Sequence, residues 1–182
     1  MEWLNKMKER YSKKRIEDLG RVPFKRDFVD LESARTIGII LNTNESSIED
    51  LTQITSYADT LKKRGKKILI IEINYDKKST PSFNSALFIN PNKLNWYDYP
   101  IPSLEKEIQD YDLDILMNFD SSVRLTSKYV CSIAKAKTRT GVHAEGFESC
   151  YELMIALSNQ EPETKMKSMI KEFDYFLNMI DK

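Results

Sequence analysis

The residues best suited to bind a ligand follow three apolar segments that the sequence predicts to be β-strands. Asn42 and Asn44 come after the first strand, Asp120 and Ser121 after the fourth, and His143 after the fifth. In open parallel sheets, ligands bind outside the carboxyl ends of the strands, near the position where the strand order reverses. Amide, carboxylate, hydroxyl and imidazole groups at that edge could hydrogen-bond a small polar molecule. These five residues are the candidate ligand-binding residues.

The sequence lacks the motifs of the common nucleotide-binding and catalytic folds. It has five glycines, at positions 20, 38, 65, 141 and 146, and they form neither G-x-G-x-x-G nor G-x-x-x-x-G-K-[ST]. Ser121 and Ser122 lie in FDSSV, which differs from the G-x-S-x-G of a serine hydrolase and is also typical of a helix cap. We therefore expect no cofactor, and no enzyme class has positive support.

His143 is the only histidine of the chain. A single histidine with Glu145 as its nearby carboxylate cannot form a multi-histidine metal site, so no metal is expected. The imidazole could act as a general base if Glu145 or Asp120 oriented it, whereas an isolated histidine in a surface loop is usually inert. No catalytic residue is assigned from the sequence.

A second candidate surface is basic. No acidic residue occurs between Ser121 and Ala144, and five basic residues flank one predicted helix and the strand after it: Arg124, Lys128, Lys135, Lys137 and Arg139. Two interpretations are open. The group could be a solvated face, part of which stabilises the helix dipole, or a surface that contacts the phosphates of a nucleic acid.

The first 26 residues are also basic, with nine Lys and Arg against four Asp and Glu. They predict a helix over 3–19 that ends at Gly20, and its apolar residues recur at helical spacing: Trp3, Leu4, Met7 and Tyr11. We expect this helix to dock on its own domain or on a macromolecular partner. Membrane association is disfavoured because the apolar face is small and is interrupted by Glu9.

From residue 36 onward, apolar segments alternate with helical patterns. The predicted strands are 36–41, 67–73, 87–90, 114–119, 138–142 and 151–157. Ser46 and Glu49 have capping-box spacing and predict a helix start, and further helices are expected after Pro102, over 122–136 and from residue 161. This order predicts one three-layer α/β domain, Rossmann-like or flavodoxin-like, with about five to six mostly parallel strands. Residues 1–35 form an N-terminal helix and connector, and 36–182 form the domain.

The composition and the two cysteines indicate an intracellular environment. The formal charge is zero, from 28 basic and 28 acidic residues, so the whole molecule is not a polyanion binder. Cys131 and Cys150 make neither a disulfide framework nor a zinc site and are expected to be buried, without a disulfide-linked partner. With no apolar leader or long apolar segment, the prediction is a cytoplasmic protein with reduced thiols.

Four segments, DLDILMNFD, YVCSIAKAKTRTGV, YELMI and FDYFLNMI, together resemble a family of uncharacterised proteins widespread in Bacteroidota, a domain of unknown function. Its members are similar in order: a basic N-terminal helix, a βαβ start, a strand reading D-[LI]-L-[IM]-N, and a helix ending A-x-[SA]-K-A-K. The resemblance covers most of the chain and implies its α/β organisation. It implies no activity, cofactor or site residue.

The segment AKAKTRTGV, preceded by a strand with D-[LIV]-[LIV] and a helix, is also similar to the N-terminal half of heptosyltransferase-like GT-B glycosyltransferases. In those enzymes the donor nucleotide lies mainly in the C-terminal half, which this chain is expected to lack. The resemblance therefore implies a shared fold and not glycosyl transfer.

Two functional hypotheses follow. The first is a non-catalytic module that binds a macromolecular partner, such as RNA or a ribonucleoprotein, through the basic segments. The second is a protein that binds a small molecule or nucleotide sugar at the strand ends. They differ in one observation, which is whether the polar strand-end loops converge on a pocket.

Overall fold

A six-stranded parallel sheet forms the centre of the chain. The computed structural model describes residues 2–20, 27–84, 87–122, 124–157 and 162–179. Within these ranges the strands are β1 (Thr36–Asn42), β2 (Lys67–Ile73), β3 (Leu87–Ile89), β4 (Asp112–Asn118), β5 (Lys135–Val142) and β6 (Leu153–Ile155). Their order is β3-β2-β1-β4-β5-β6, and each neighbouring pair is parallel. The predicted α/β fold is confirmed, and its strand order reverses between β1 and β4.

Helices cover both faces of the sheet. They are α1 (Glu2–Gly20), α2 (Ile48–Lys63), α3 (Pro102–Gln109), α4 (Leu125–Ile133) and α5 (Pro162–Leu177). Apolar side chains of α2 and α5 pack with one face of the central strands, whereas those of α3 and α4 pack with the other. The sheet is therefore buried on both sides, which explains the continuous apolar runs of its central strands. Among the described helices, none is long and apolar enough to cross a membrane.

Helix α1 lies over α4 and docks on its own chain. Ser12 and Ile16 of α1 are fully buried, whereas Trp3, Met7 and Tyr11 of the predicted apolar stripe are more than half exposed. The side chain of Leu4, the fourth member of the stripe, lies outside the described residues. Between the sheet and α1, α4 is buried all round, from Thr126 to Ile133. This second cover explains why even the polar residues of α4 are buried, which the sequence pattern does not reveal.

Several predicted boundaries shift by a few residues. The helix over 122–136 is shorter, because α4 ends at Ile133 and β5 already begins at Lys135. Lys135 and Lys137 are therefore strand residues and do not stabilise a helix dipole. The capping box of α2 is one residue later than predicted, with Ser47 Oγ accepting from the Asp50 N–H and the Asp50 carboxylate accepting from the Ser47 N–H. The last strand is only three residues long, Leu153–Ile155.

Asp114 ties the start of β1 to β4 and β5. Its carboxylate accepts hydrogen bonds from the backbone N–H groups of Arg35 and Thr36, and from Lys137 Nζ at 2.8 Å. Burial opposes ionisation of this carboxyl group, but the hydrogen bonds from Lys137 and the backbone outweigh burial and lower its pKa to about 2. The ionised group therefore contributes stability that is fully present above its ordinary pKa of 3.8 and is lost as the pH falls toward 2.

Asp114→Asn is expected to lower the free energy of unfolding by about 1 kcal/mol at neutral pH, because Lys137 is half exposed and the ion pair is partly screened. The difference between the variant and the natural protein should narrow steadily below pH 4. Urea unfolding at several pH values measures it, with Asp112→Asn as an exposed control on the same strand. A difference that is independent of pH would contradict this role of the charge.

Candidate functional site

A pocket of about 300 Å³ lies at the carboxyl ends of β1 and β4, where the strand order reverses. Its apolar wall is formed by Phe119, which follows β4, and by Met166 and Met169 of α5. Phe119 is held by its contact with Phe173, whose ring lies edge-on with the centroids 5.0 Å apart. The rest of the lining comes mostly from the β1–α2 loop, the first turn of α2 and the β4–α4 loop. This is the edge at which parallel α/β sheets bind ligands.

Asn42, the last residue of β1, contributes a buried amide to the pocket lining. Its Oδ1 accepts from the Asn44 N–H at 3.1 Å, and its backbone carbonyl accepts from Ser46 Oγ at 2.7 Å, so the loop closes around it. The residue is 3% exposed. Its Nδ2 donor has no hydrogen-bond partner among the residues that the structure describes.

Asp120 contributes a buried carboxylate from the β4–α4 loop, with 5% exposure. Its Oδ1 accepts from the Ser122 N–H at 2.9 Å, and its own N–H donates to Asn118 Oδ1 at 3.0 Å. Asn118 is in turn fixed by donating from Nδ2 to the Tyr151 hydroxyl at 2.7 Å. The second carboxylate oxygen, Oδ2, has no hydrogen-bond partner within the described part of the chain.

These two atoms make the pocket the candidate binding site. A buried polar atom without a partner costs about 1–3 kcal/mol, and more if it is charged, so each one in a folded protein calls for an explanation. The other unpartnered buried atoms of the described residues, mostly hydroxyls, belong to residues that do not line the pocket. A ligand that hydrogen-bonds both would satisfy the amide donor on Asn42 and the carboxylate acceptor on Asp120.

Acidic and basic groups are balanced at the rim of the pocket. Glu45 lines the pocket and pairs with Arg124 at 3.6 Å, and the Arg124 guanidinium lies 4.0 Å from the centroid of the Tyr75 ring. Asp50 also lines it, but its carboxylate is engaged in the capping box of α2. Lys165 of α5 is the basic residue of the described lining. The site thus has no excess of positive charge that would attract an anionic ligand.

The structure brings together three of the five predicted ligand-binding residues, since Asn42, Asp120 and Ser121 line the pocket. Asn44 does not line it and is exposed, and its Oδ1 accepts from the Tyr75 N–H across to the β2–β3 loop. His143 also lies outside it, exposed after β5, where its backbone N–H donates to the Ile155 carbonyl at 2.9 Å. Within the described ranges, no three His, Cys, Asp or Glu side chains gather into a metal site.

Two members of the predicted basic face are buried, so its expected exposure is wrong for them. Arg139 is 1% exposed, and its guanidinium pairs with Glu152 and donates to the carbonyls of Cys131 and Ser149. Lys128 is 3% exposed, and its Nζ donates to the carbonyls of Ser122 and Arg124. Burial lowers the pKa of Lys128. Both cations serve the fold instead of facing solvent.

The other three members are exposed but are separated. Arg124 pairs with Glu45 at the pocket rim, Lys137 pairs with Asp114 at the opposite end of the sheet, and Lys135 lies at the start of β5. The five residues therefore do not form one basic surface. The hypothesis of a nucleic-acid partner therefore loses one of the two basic segments that motivated it.

Sequence reasoning missed the pocket residues of α5. Met166 and Met169 belong to a stripe that the sequence assigns to the core, and Lys165 precedes that stripe. Their periodicity predicts a buried face. It carries no information on which end of the helix reaches the ends of β1 and β4. Glu45 was also missed, because the sequence of its loop, NTNESS, is typical of helix capping and does not indicate a ligand site.

Comparison with known proteins assigns the chain to a family. The model of a family of unknown function, DUF6913, matches residues 6–180. The chain belongs to this family. The DUF6913 match confirms the resemblance to a domain of unknown function and assigns no activity to the pocket. No curated protein matches.

Among solved structures, this DUF6913 member is similar to a family 9 glycosyl transferase from Veillonella parvula DSM 2008. The TM-score is 0.53 with 13% sequence identity, over 82% of this chain and 43% of that one. The E. coli heptosyltransferase WaaC with ADP gives a TM-score of 0.45 with 14% identity, over 75% of this chain and 47% of that one. The chain thus spans less than half the length of either protein. The first likeness shows a shared Rossmann-like fold, as the sequence resemblance implied.

Proposed function

We propose that this protein is a small-molecule binding protein whose ligand occupies the pocket between the ends of β1 and β4. The observation that carries the proposal is that two residues lining one pocket each have a buried polar atom without a partner, Asn42 Nδ2 and Asp120 Oδ2. The position supports it, because ligands of parallel α/β sheets bind where the strand order reverses. A volume of about 300 Å³ is at the lower end of the range for small-molecule sites and fits one small metabolite.

Binding requires a small movement of the loops. Both unpartnered atoms are enclosed in this conformation, so a ligand contacts them only after the β1–α2 loop or the β4–α4 loop shifts. The first of these loops is fixed by Ser46, whose hydroxyl donates to the Asn42 carbonyl, and the second by the bond from the Ser122 N–H to Asp120. We expect ligand binding to slow amide hydrogen exchange in both loops.

Two isosteric substitutions test the proposal. Asp120→Asn keeps an oxygen for the Ser122 N–H, and Asn42→Asp keeps an oxygen for the Asn44 N–H. Each therefore changes the unpartnered atom and keeps the existing hydrogen bond, and it also changes the charge of the pocket by one unit. Because loss of a charged hydrogen bond costs about 1.5–3 kcal/mol, each variant should bind a ligand about tenfold to a hundredfold more weakly. The ligand is first found by a thermal-shift screen of monosaccharides, sugar phosphates, nucleosides and nucleotide sugars.

Asp120→Asn also separates a binding role from a structural one. It removes an oxygen without a partner, but also a charge that offsets the buried Lys128, so the free energy of unfolding without ligand should change by less than about 1 kcal/mol while binding is lost. A clear loss of stability would mean that Asp120 serves the fold. Asp112→Asn, the same change at an exposed residue at the other end of β4, is the matched control.

A further inference from the structure

The donor and the acceptor in the pocket select the chemistry of the ligand. The Asn42 amide nitrogen can only donate, whereas the Asp120 carboxylate oxygen can only accept. An ammonium group would satisfy Asp120 alone, and a phosphate would satisfy Asn42 alone. A hydroxyl both donates and accepts, so a ligand with several hydroxyls can pair with both atoms and stay uncharged.

The charges around the pocket do not favour phosphate. Three acidic residues line it, together with Lys165 as the basic one. Arg124 pairs with Glu45, and Lys128 interacts electrostatically with Asp120, so acidic and basic groups balance. The site therefore lacks the excess of positive charge that phosphate sites use.

The helix terminus at the pocket is also closed to phosphate. The first turn of α2 is at the rim, and exposed N–H groups at such termini commonly bind phosphate. Here the Asp50 carboxylate already accepts from the Ser47 N–H at 2.9 Å, and Glu49 adds a second acid to the same turn. The protein's own carboxylates thus neutralise the helix dipole where a nucleotide phosphate would otherwise bind.

The opposite wall is apolar. Phe119, Met166 and Met169 are each less than a tenth exposed and offer a flat ring and two flexible thioethers. The C–H face of a sugar ring is an apolar surface of matching kind, while its hydroxyls point outward from the ring edge. Small-molecule pockets orient a ligand in this way, with apolar side chains against its carbon atoms and a few polar groups against its hydroxyls.

We infer that the ligand of this pocket is an unphosphorylated polyhydroxylated molecule, a free sugar or a related polyol, and not a nucleotide sugar. The inference rests on the proposed function. Asn42 donates to one ligand hydroxyl, Asp120 accepts from another, and the capped start of α2 offers no site for a phosphate.

The test uses matched probes and a polarity swap. Ribose, glucose, mannose and myo-inositol are each titrated beside their monophosphates, with UDP-glucose as a further probe, by ligand-observed NMR and calorimetry on the full chain. The free compound that binds most tightly is expected to bind at least about tenfold more tightly than its phosphate.

That compound is then titrated into Asn42→Asp, Asp120→Asn and the double variant, which exchanges the donor and the acceptor without changing the net charge. Each single variant should weaken binding at least about tenfold. The double variant should recover to within about threefold, because ligand hydroxyls can reverse their donor and acceptor roles. Circular dichroism and the melting temperature report the folding of each variant.

The outcomes separate the two levels of the hypothesis. A phosphate or UDP-glucose that binds more tightly than the free sugars, with binding still lost in the single variants, overturns the polyol assignment and leaves the pocket as the site. Single variants that weaken binding without recovery in the double variant also overturn the hydroxyl assignment. No binding of any free sugar or polyol overturns the polyol assignment alone. No response in the wider thermal-shift screen, or binding that both substitutions leave unchanged, refutes the proposed function itself.

Discussion

Replacing Arg139 with methionine is expected to destabilise the protein by about 3–5 kcal/mol, the largest effect of any single substitution considered. The guanidinium is fully buried and donates to Glu152 through Nε at 3.1 Å and Nη2 at 2.9 Å. Its remaining hydrogen bonds satisfy the carbonyls of Cys131 and Ser149, each at 2.9 Å. Methionine would fill part of the volume but would remove the cation that pairs with the Glu152 carboxylate and the donors to two carbonyl oxygens.

Urea unfolding of Arg139→Met measures the loss. Lys135→Met is the matched control, because Lys135 lies on the same strand and is exposed, so the same change there should stay within about 0.5 kcal/mol. Arg139→Met combined with Glu152→Leu should recover part of the stability, because the uncompensated charge is then absent. If Arg139→Met alone lowers the free energy of unfolding by less than about 1 kcal/mol, the Arg139 guanidinium of the natural protein must be exposed to solvent.

The same residue shows what a sequence pattern cannot reveal. In TRTGV, Arg139 alternates with small polar residues and resembles an exposed position of a strand. Its burial depends on Glu152, on two carbonyls from other segments and on α1, which covers α4 from outside. Local periodicity does not contain these long-range contacts. Lys128 was wrongly expected to be exposed for the same reason, because α4 is buried all round by other elements.

The strands and the site edge were predictable because their signals are local. KILIIEI is apolar at five of its seven positions, and its predicted bounds coincide with those of β2, Lys67–Ile73. Once the strands are known, parallel pairing places the residues after β1 and β4 at one edge, which correctly brings Asn42, Asp120 and Ser121 to the pocket. The contribution of α5 was not predictable, since it depends on how one helix end packs across the sheet.

The pocket is coupled to the tight packing of β5. Gly141 of β5 faces the ring of Tyr151, and a Cβ at that position would lie 2.4 Å from the ring atoms Cε1 and Cζ. The Tyr151 hydroxyl accepts from Asn118 Nδ2, and Asn118 Oδ1 accepts from the Asp120 N–H. A glycine thus allows the ring to approach β5 closely, and the ring holds the residue that positions Asp120.

Gly141→Ala is therefore expected to reduce both stability and ligand binding. Overpacking of a core typically costs about 1–3 kcal/mol, and the rigid ring of Tyr151, 7% exposed, has to move as a unit. That movement breaks the bond to Asn118 and loosens the loop that carries Asp120, so ligand affinity should fall as well. Urea unfolding and titration of the best-binding probe measure the two effects separately.

Two further variants separate packing from positioning. Gly38→Ala would also be crowded, with a Cβ 2.7 Å from Leu116 Cδ1, but that methyl is the end of a flexible side chain that can rotate away. It should cost less stability than Gly141→Ala and leave ligand affinity unchanged. Tyr151→Phe removes only the hydroxyl and leaves Asn118 Nδ2 without its partner. If Tyr151→Phe weakens ligand binding and Gly38→Ala does not, the contacts from Gly141 through Tyr151 position Asp120. If Tyr151→Phe leaves ligand binding unchanged, Tyr151 serves only the packing of the core.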